Sequence, residues 1–187
     1  MKTQLRFASI LFAAGLFAIA GLAIAAPKPG TAAVDTSADS TIASQVHHKL
    51  AMLPWYGVFD NLGYQVINGS EVTLTGQVIS EHDQTKYDAD KAVKDIPGVT
   101  KVVNNIEVLP PSPFDNQIRR AEFRAIFSKS DLGRYTMGPI PQVHIIVNGG
   151  HVTLEGQVMN QMDKTVAGIS ANSVPGVFSV TNNLHVG

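Results

Sequence analysis

Three arginines, Arg119, Arg120 and Arg124, stand beside Phe123 and Phe127 in a stretch of helical period that runs from Phe114 to Lys129. At about 100° per residue, Phe114, Ile118, Ala121 and Ala125 fall together as an inward stripe, which turns the two phenylalanines and the three guanidinium groups to the other side. Rings that enter the apolar layer, flanked by cations that meet phosphate, are the chemistry of an anionic lipid surface. The competing expectation buries Phe123 and Phe127 under the loop Ser130 to Pro141 or under the first half of the chain. Trp55, Tyr56 and Phe59 pose the same choice, because aromatic side chains in a loop either anchor at a membrane interface or plug the open end of a sheet. The candidate membrane- or partner-binding residues are therefore Arg119, Arg120, Phe123, Arg124, Phe127, Trp55 and Tyr56.

Catalytic patterns are missing from the sequence. It has no G-x-S-x-G elbow, no H-E-x-x-H, no phosphate-binding loop and no dinucleotide glycine fingerprint. With no cysteine, it offers no thiol nucleophile, no thiolate metal ligand and no disulfide. We expect no enzyme, no catalytic residue and no cofactor. His151 and His185, joined by His144, alternate with apolar neighbours and should face away from the core, beside Thr153, Glu155 and Asn183. That company suits a solvated sheet face better than a metal site, so no metal is expected. His47 and His48 belong to the exposed side of the first helix.

The elements that must position these residues come twice. Val72–Val78 (VTLTGQV) returns 80 positions later as Val152–Val158 (VTLEGQV), and Ile96–Val108 (IPGVTKVVNNIEV) returns 78 positions later as Val174–Val186 (VPGVFSVTNNLHV). Order and spacing survive, which marks a duplicated domain, and two copies are too few for a solenoid with one continuous core. In the first copy Ile42, Val46, Leu50 and Leu53 make one face of a helix that Pro54 ends. Tyr64–Ile67, an Asn68-Gly69 turn and the VTLTGQV strand then form a hairpin. Ser80 to Asp95, capped by Ser80, is a second helix with Ala89, Ala92, Val93 and Ile96 inward, and Val99–Val108 alternates as a third strand. The alternation should bury Val72, Leu74, Val78, Val102 and Ile106 in one copy and Val152, Leu154, Val158, Val180 and Leu184 in the other. Gly76 interrupts the buried row where another backbone or helix must come close. The expected fold is α+β, two tandem αββαβ domains, each a three-stranded mixed sheet with two helices on one face.

An αββαβ unit with V-T-L-x-G-x-V in its second strand, followed by a helix, (I/V)-P-G-V and an x-V-x-N-x-(I/L)-x-V strand, resembles the BON domain (bacterial OsmY and nodulation). The resemblance runs over residues 41–109 and 114–187, with a proline-rich connector at 110–113. It implies an exported or membrane-tethered envelope protein that protects against osmotic stress and binds phospholipid or protein without catalysis. The aromatic stretch Trp55 to Phe59 departs from the general pattern, which leaves room for a specialised surface in the first domain.

The N-terminus fits export. Lys2 and Arg6 precede an apolar run from Phe7 to Ala26, closed by Ala23, Ala25 and Ala26, so residues 1–25 read as a signal peptide, with an uncleaved membrane anchor as the alternative. Residues 26–40 read as a flexible linker, and the protein is expected in the periplasm or otherwise outside the cytoplasm. The whole chain is 44% hydrophobic and 16% charged, with 14 basic against 15 acidic side chains, and losing Lys2 and Arg6 makes it more acidic. Nucleic acid is thus excluded as a partner, whereas anionic phospholipid or an envelope protein remains. The function expected is binding to phospholipid membrane surfaces in support of envelope integrity or osmotic-stress protection, the alternative being a protein-interaction or chaperone-like module for envelope proteins. Oligomeric state is not legible.

Overall fold

The computed structural model describes residues 36–128, 130–138 and 140–187. The segment 1–25 and the start of the linker at 26–35 lie outside the described residues. Helix α1 (Thr36–Ala51) begins earlier than the apolar period suggests, inside the stretch expected to be linker. Ile42, Val46 and Leu50 form its buried stripe. The chain continues through β1 (Asn61–Ile67), β2 (Glu71–Val78), α2 (Asp83–Lys94), β3 (Lys101–Asn104) and β4 (Glu107–Val108). The second repeat is α3 (Pro113–Phe127), β5 (Val143–Asn148), β6 (His151–Val158), α4 (Gln161–Asn172), β7 (Ser179–Asn182) and β8 (His185–Val186). This is the α+β fold in two repeated halves that the duplication predicts.

In each half the middle strand carries the sheet. β2 pairs antiparallel with β1 and parallel with both β3 and β4, and β6 pairs in the same way with β5, β7 and β8. The hairpin turn closes with Asn68 at φ 50° and Gly69 at φ 68°, the left-handed pair that a tight hairpin needs. The expected third strand is split in two by a side chain. Asn104 donates its amide to Lys86 O at 2.8 Å while its oxygen accepts from Ile106 N, and Asn182 repeats this by donating to Lys164 O at 2.8 Å. The shared asparagine thus ties the last strand to the helix above it and takes one backbone donor out of the ladder.

Gly76 and Gly156 sit opposite that interruption, both at φ 114°, where a Cβ would lie 2.0 Å from Asn61 O and 2.1 Å from Gln142 O. A close backbone approach from the neighbouring strand is the reason for glycine in both copies.

Two cores result. Val72, Leu74, Val78 and Ile106 of the first sheet side pack with Ile42, Val46 and Leu50 of α1 and Ala89 and Val93 of α2, and Val152, Leu154, Val158, Ala167, Ala171 and Leu184 pack in the second half. Each fully buried aliphatic side chain contributes roughly 1.5–3 kcal/mol relative to exposure, so the alternating strand pattern alone supplies much of the driving force. Val102 and Val180 are only half-buried, contrary to expectation, because β3 and β7 are the outer strands of their sheets and one flank stays open. Ser80 does not cap α2 either. It starts a single 3-10 turn, Ser80–His82, and its hydroxyl donates to Glu81 at 3.0 Å.

The two halves form one compact unit. The aromatic segment after α1 leaves its own sheet, and Ile145 N at the edge of β5 donates to Val58 O at 2.7 Å. Val58 and Phe59 pack against the second core.

Candidate functional site

Ser112 caps α3 by accepting from Asp115 N at 3.1 Å, and Pro113, placed by sequence in the connector, occupies its first turn. The inward face is Asp115, Ile118, Arg119, Glu122 and Ile126. The expected stripe of Phe114, Ile118, Ala121 and Ala125 holds only at Ile118: Phe114 is exposed, and both alanines are half-buried. The helix is rotated so that Asp115, Arg119 and Glu122 point inward, and two of these are held by the backbone they meet. Asp115 accepts from Gly149 N at 3.0 Å and Gly150 N at 2.8 Å, holding the β5–β6 turn. Arg119 donates to Val147 O at 2.7 Å and to the Asn116 side chain.

Arg119 is therefore buried, with 3% of its surface exposed, and the expectation that it faces solvent is corrected. Burial lowers its pKa, with Asp115, Glu81 and Asp60 acting in the opposite direction. Phe127 is corrected in the same sense, being buried in one core cluster with Leu132 and Tyr135 from the 3-10 segment Ser130–Thr136. Phe123 lies at the rim, 37% exposed, with its ring edge-on to Phe127 at 5.1 Å and to Phe59 at 6.3 Å. The alternative of cover by the following loop or the first half thus describes Phe127 and part of Phe123.

Arg120 and Arg124 remain on the exposed side of α3. With Phe114, Ile118, Ala121 and Pro175 they line a surface hollow of about 440 Å³. Phe114, 45% exposed, lies 6.1 Å from the more exposed Phe178, which extends the aromatic surface beyond the hollow. Neither Phe114 nor Phe178 was singled out from sequence as a site residue. For Phe178 a signal was present, since the first repeat has Thr100 at that place.

Trp55 and Tyr56 do not line this hollow. Trp55 is exposed, with its ring 6.3 Å from His82, while Tyr56 is half-buried and stacked on His144 at 5.2 Å. Asp60, fully buried, sets the loop by accepting from Gly57 N and Ile79 N at 3.0 Å each and by pairing with His82 Nδ1 at 2.7 Å. His144, expected on an open sheet face, is buried because the loop covers it: its Nδ1 donates to Gly57 O at 3.2 Å, leaving Nε2 to accept from the Tyr56 hydroxyl at 3.3 Å. Burial lowers the His144 pKa and raises that of Tyr56, which favours the neutral form of each. His151 and His185 are exposed.

Glu122 has no counterpart in the sequence reading. It is fully buried with neither carboxylate oxygen hydrogen-bonded, and burial pushes its pKa up to about 8. Ile42, Val46 and Leu50 of α1 match Ile118, Glu122 and Ile126 of α3, an equivalence supported by Gly98 lying against Ile42 as Gly176 lies against Ile118. A carboxyl group thus stands where the first repeat has valine.

Among the described residues no cluster of histidine and carboxylate side chains is arranged to hold a metal, and no helix is long and apolar enough to cross a membrane. Compared with known proteins, the chain matches the family described as the BON domain at residues 38–110 and again at 115–187. No curated protein matches it. Among solved structures it is similar to the C-terminal domain of CdsD, the structural protein of the type III secretion system of Chlamydia trachomatis, at 12% identity and a TM-score of 0.31, covering 78% of this chain and 96% of that one. A second CdsD structure aligns at 12% identity and a TM-score of 0.30, covering 79% and 93%. At such scores neither likeness bears on function.

Proposed function

The chain belongs to the BON domain family, and on that premise we propose that it is a non-catalytic, exported envelope protein that docks on anionic phospholipid surfaces through the outer side of α3. The observation that carries this reading is the grouping of the Arg120 and Arg124 guanidinium groups with the Phe114 ring around one open hollow. Two cations near an anionic bilayer each contribute about 1 kcal/mol, and a partly inserted ring adds the burial of its apolar face. Docking in turn would place the protein to support envelope integrity or resistance to osmotic stress. Arg119 and Phe127 have no part in the contact, since both are engaged within the fold.

A second reading, a protein-interaction or chaperone-like module for envelope proteins, is favoured by α4. Met162 and Ile169 are 70% and 66% exposed there, at positions where the matching helix α2 carries Gln84 and Lys91. Two exposed aliphatic side chains at places that are polar in the other repeat, where Tyr87 is the exposed ring between them, suit a protein partner. Sedimentation with phosphatidylglycerol vesicles across a salt series separates the two. Arginine-led docking weakens steeply as salt rises and is absent on uncharged phosphatidylcholine vesicles, whereas retention that ignores both salt and headgroup charge overturns the lipid reading.

A further inference from the structure

The docked aromatic loop leaves a second, larger concavity between the two repeats. It measures about 770 Å³, within the range of small-molecule sites, and its walls come from α1 and β1 on one side and from β5, β6 and β8 on the other. Its apolar lining includes Leu50, Leu62, Ile140 and Val158. His47, Asn61, Gln142, Gln157 and His185 also line it, and among the described residues none of these side chains is engaged in a hydrogen bond, ion pair or ring contact. The rings of Tyr56 and Tyr64 complete the wall, the former held by its stack on His144.

The electrostatics of the lining select the ligand. Among the described residues no Asp, Glu, Lys or Arg side chain lines the cleft, although the chain carries 14 basic and 15 acidic side chains. A charged guest would meet no carboxylate, ammonium or guanidinium side chain here, so neither an anion nor a cation gains such an ion pair. Amide and imidazole groups can donate and accept hydrogen bonds, while an apolar lining with phenol rings fits the C–H face of a sugar. A strand-forming peptide is less suited, since the edge of β5 is already engaged by Val58.

From this we infer that the cleft between the repeats is a binding site for a short, uncharged oligosaccharide. Tyr56 and Tyr64 would pack on the rings, and Asn61, Gln142 and Gln157 would bond the hydroxyl and acetamido groups. The site is separate from the outer side of α3 and needs no lipid.

Titration of the full chain with tri-N-acetylchitotriose, followed by amide and side-chain NMR, tests it. The inference expects saturable shifts at Asn61, Tyr64, His144 and Gln157, and binding at least about tenfold weaker for trigalacturonate, which adds carboxylates to a glycan of similar size. Gln142→Trp, which fills the cleft, should abolish the shifts, and Gln157→Ala, which only removes bonding groups, should weaken them while thermal unfolding is unchanged. The proposal is overturned by an absence of saturable shifts, by equal binding of the charged glycan, or by wild-type binding in both variants. Shifts produced by a neutral strand-forming peptide and not by the glycan would overturn it too, in favour of a peptide groove.

Discussion

Glu122 and Arg119 show at the residue scale what a helical wheel cannot see. Apolar periodicity put Phe114, Ala121 and Ala125 inside, whereas the fold turns α3 so that Asp115 and Arg119 hold the β5–β6 turn by its backbone. An arginine that donates to a carbonyl looks, in sequence, like one that faces water. Its removal should therefore cost stability. Arg119→Ala leaves Val147 O and the Asn116 side chain without their donor and is expected to destabilise by roughly 2–3 kcal/mol in chemical unfolding, whereas Arg120→Ala should stay within about 0.5 kcal/mol. Equal small effects from the two would mean that Arg119 is not structural.

Glu122 predicts a pH dependence. Its carboxyl holds a proton up to about pH 8 in the folded chain, far above the ordinary value of 4.5. The folded state thus binds more protons than the unfolded one between those values, so stability falls as pH rises through that window and levels off above it. The loss amounts to roughly 3 kcal/mol between pH 5 and pH 8. Glu122→Gln should remove that slope, and Glu122→Val, which restores the residue at the matching position of α1, should raise the unfolding midpoint at pH 8. A wild-type profile that is flat from pH 5 to pH 8 would refute a buried, unpartnered carboxyl.

At the scale of elements, the repeats were legible because strand alternation and the paired motifs each report local geometry. Val72, Leu74, Val78 and their partners Val152, Leu154 and Val158 are all buried, and Gly76 and Gly156 mark close backbone approaches. For the aromatic loop the sequence leaves anchor and plug open, and the fold divides it: Tyr56 and Phe59 are half-buried, whereas Trp55 is exposed. Nothing in Trp55 to Phe59 states that Val58 O will meet Ile145 N or that Phe59 will meet Phe123, since both contacts join residues far apart in sequence. The candidate site suffers from the same blindness: Arg120, Arg124 and Phe123 are at the surface, Arg119 and Phe127 are not, and Phe114, which the apolar period places in the core, is exposed. Docking of the loop carries its own expectation. Phe59→Ala should lower stability by about 2 kcal/mol and speed hydrogen exchange at the Ile145 amide, with the β1–β2 ladder less affected. Unchanged Ile145 protection would show that Phe59 does not hold the loop in place.

For the molecule as a whole, the two cores, the loop that crosses between them and the compact unit they form make a scaffold that presents the outer side of α3 to solvent. Charge at Arg120 and Arg124 can then be reversed without disturbing the packing that holds Ile118, Arg119, Glu122 and Ile126 inside. The direct test of membrane docking is co-sedimentation of the Arg120→Glu, Arg124→Glu double variant with phosphatidylglycerol vesicles at low salt. Loss of about 2 kcal/mol of attraction predicts binding at least about thirtyfold weaker than wild type, with thermal unfolding unchanged. A folded double variant that sediments at the wild-type level would contradict the docking surface.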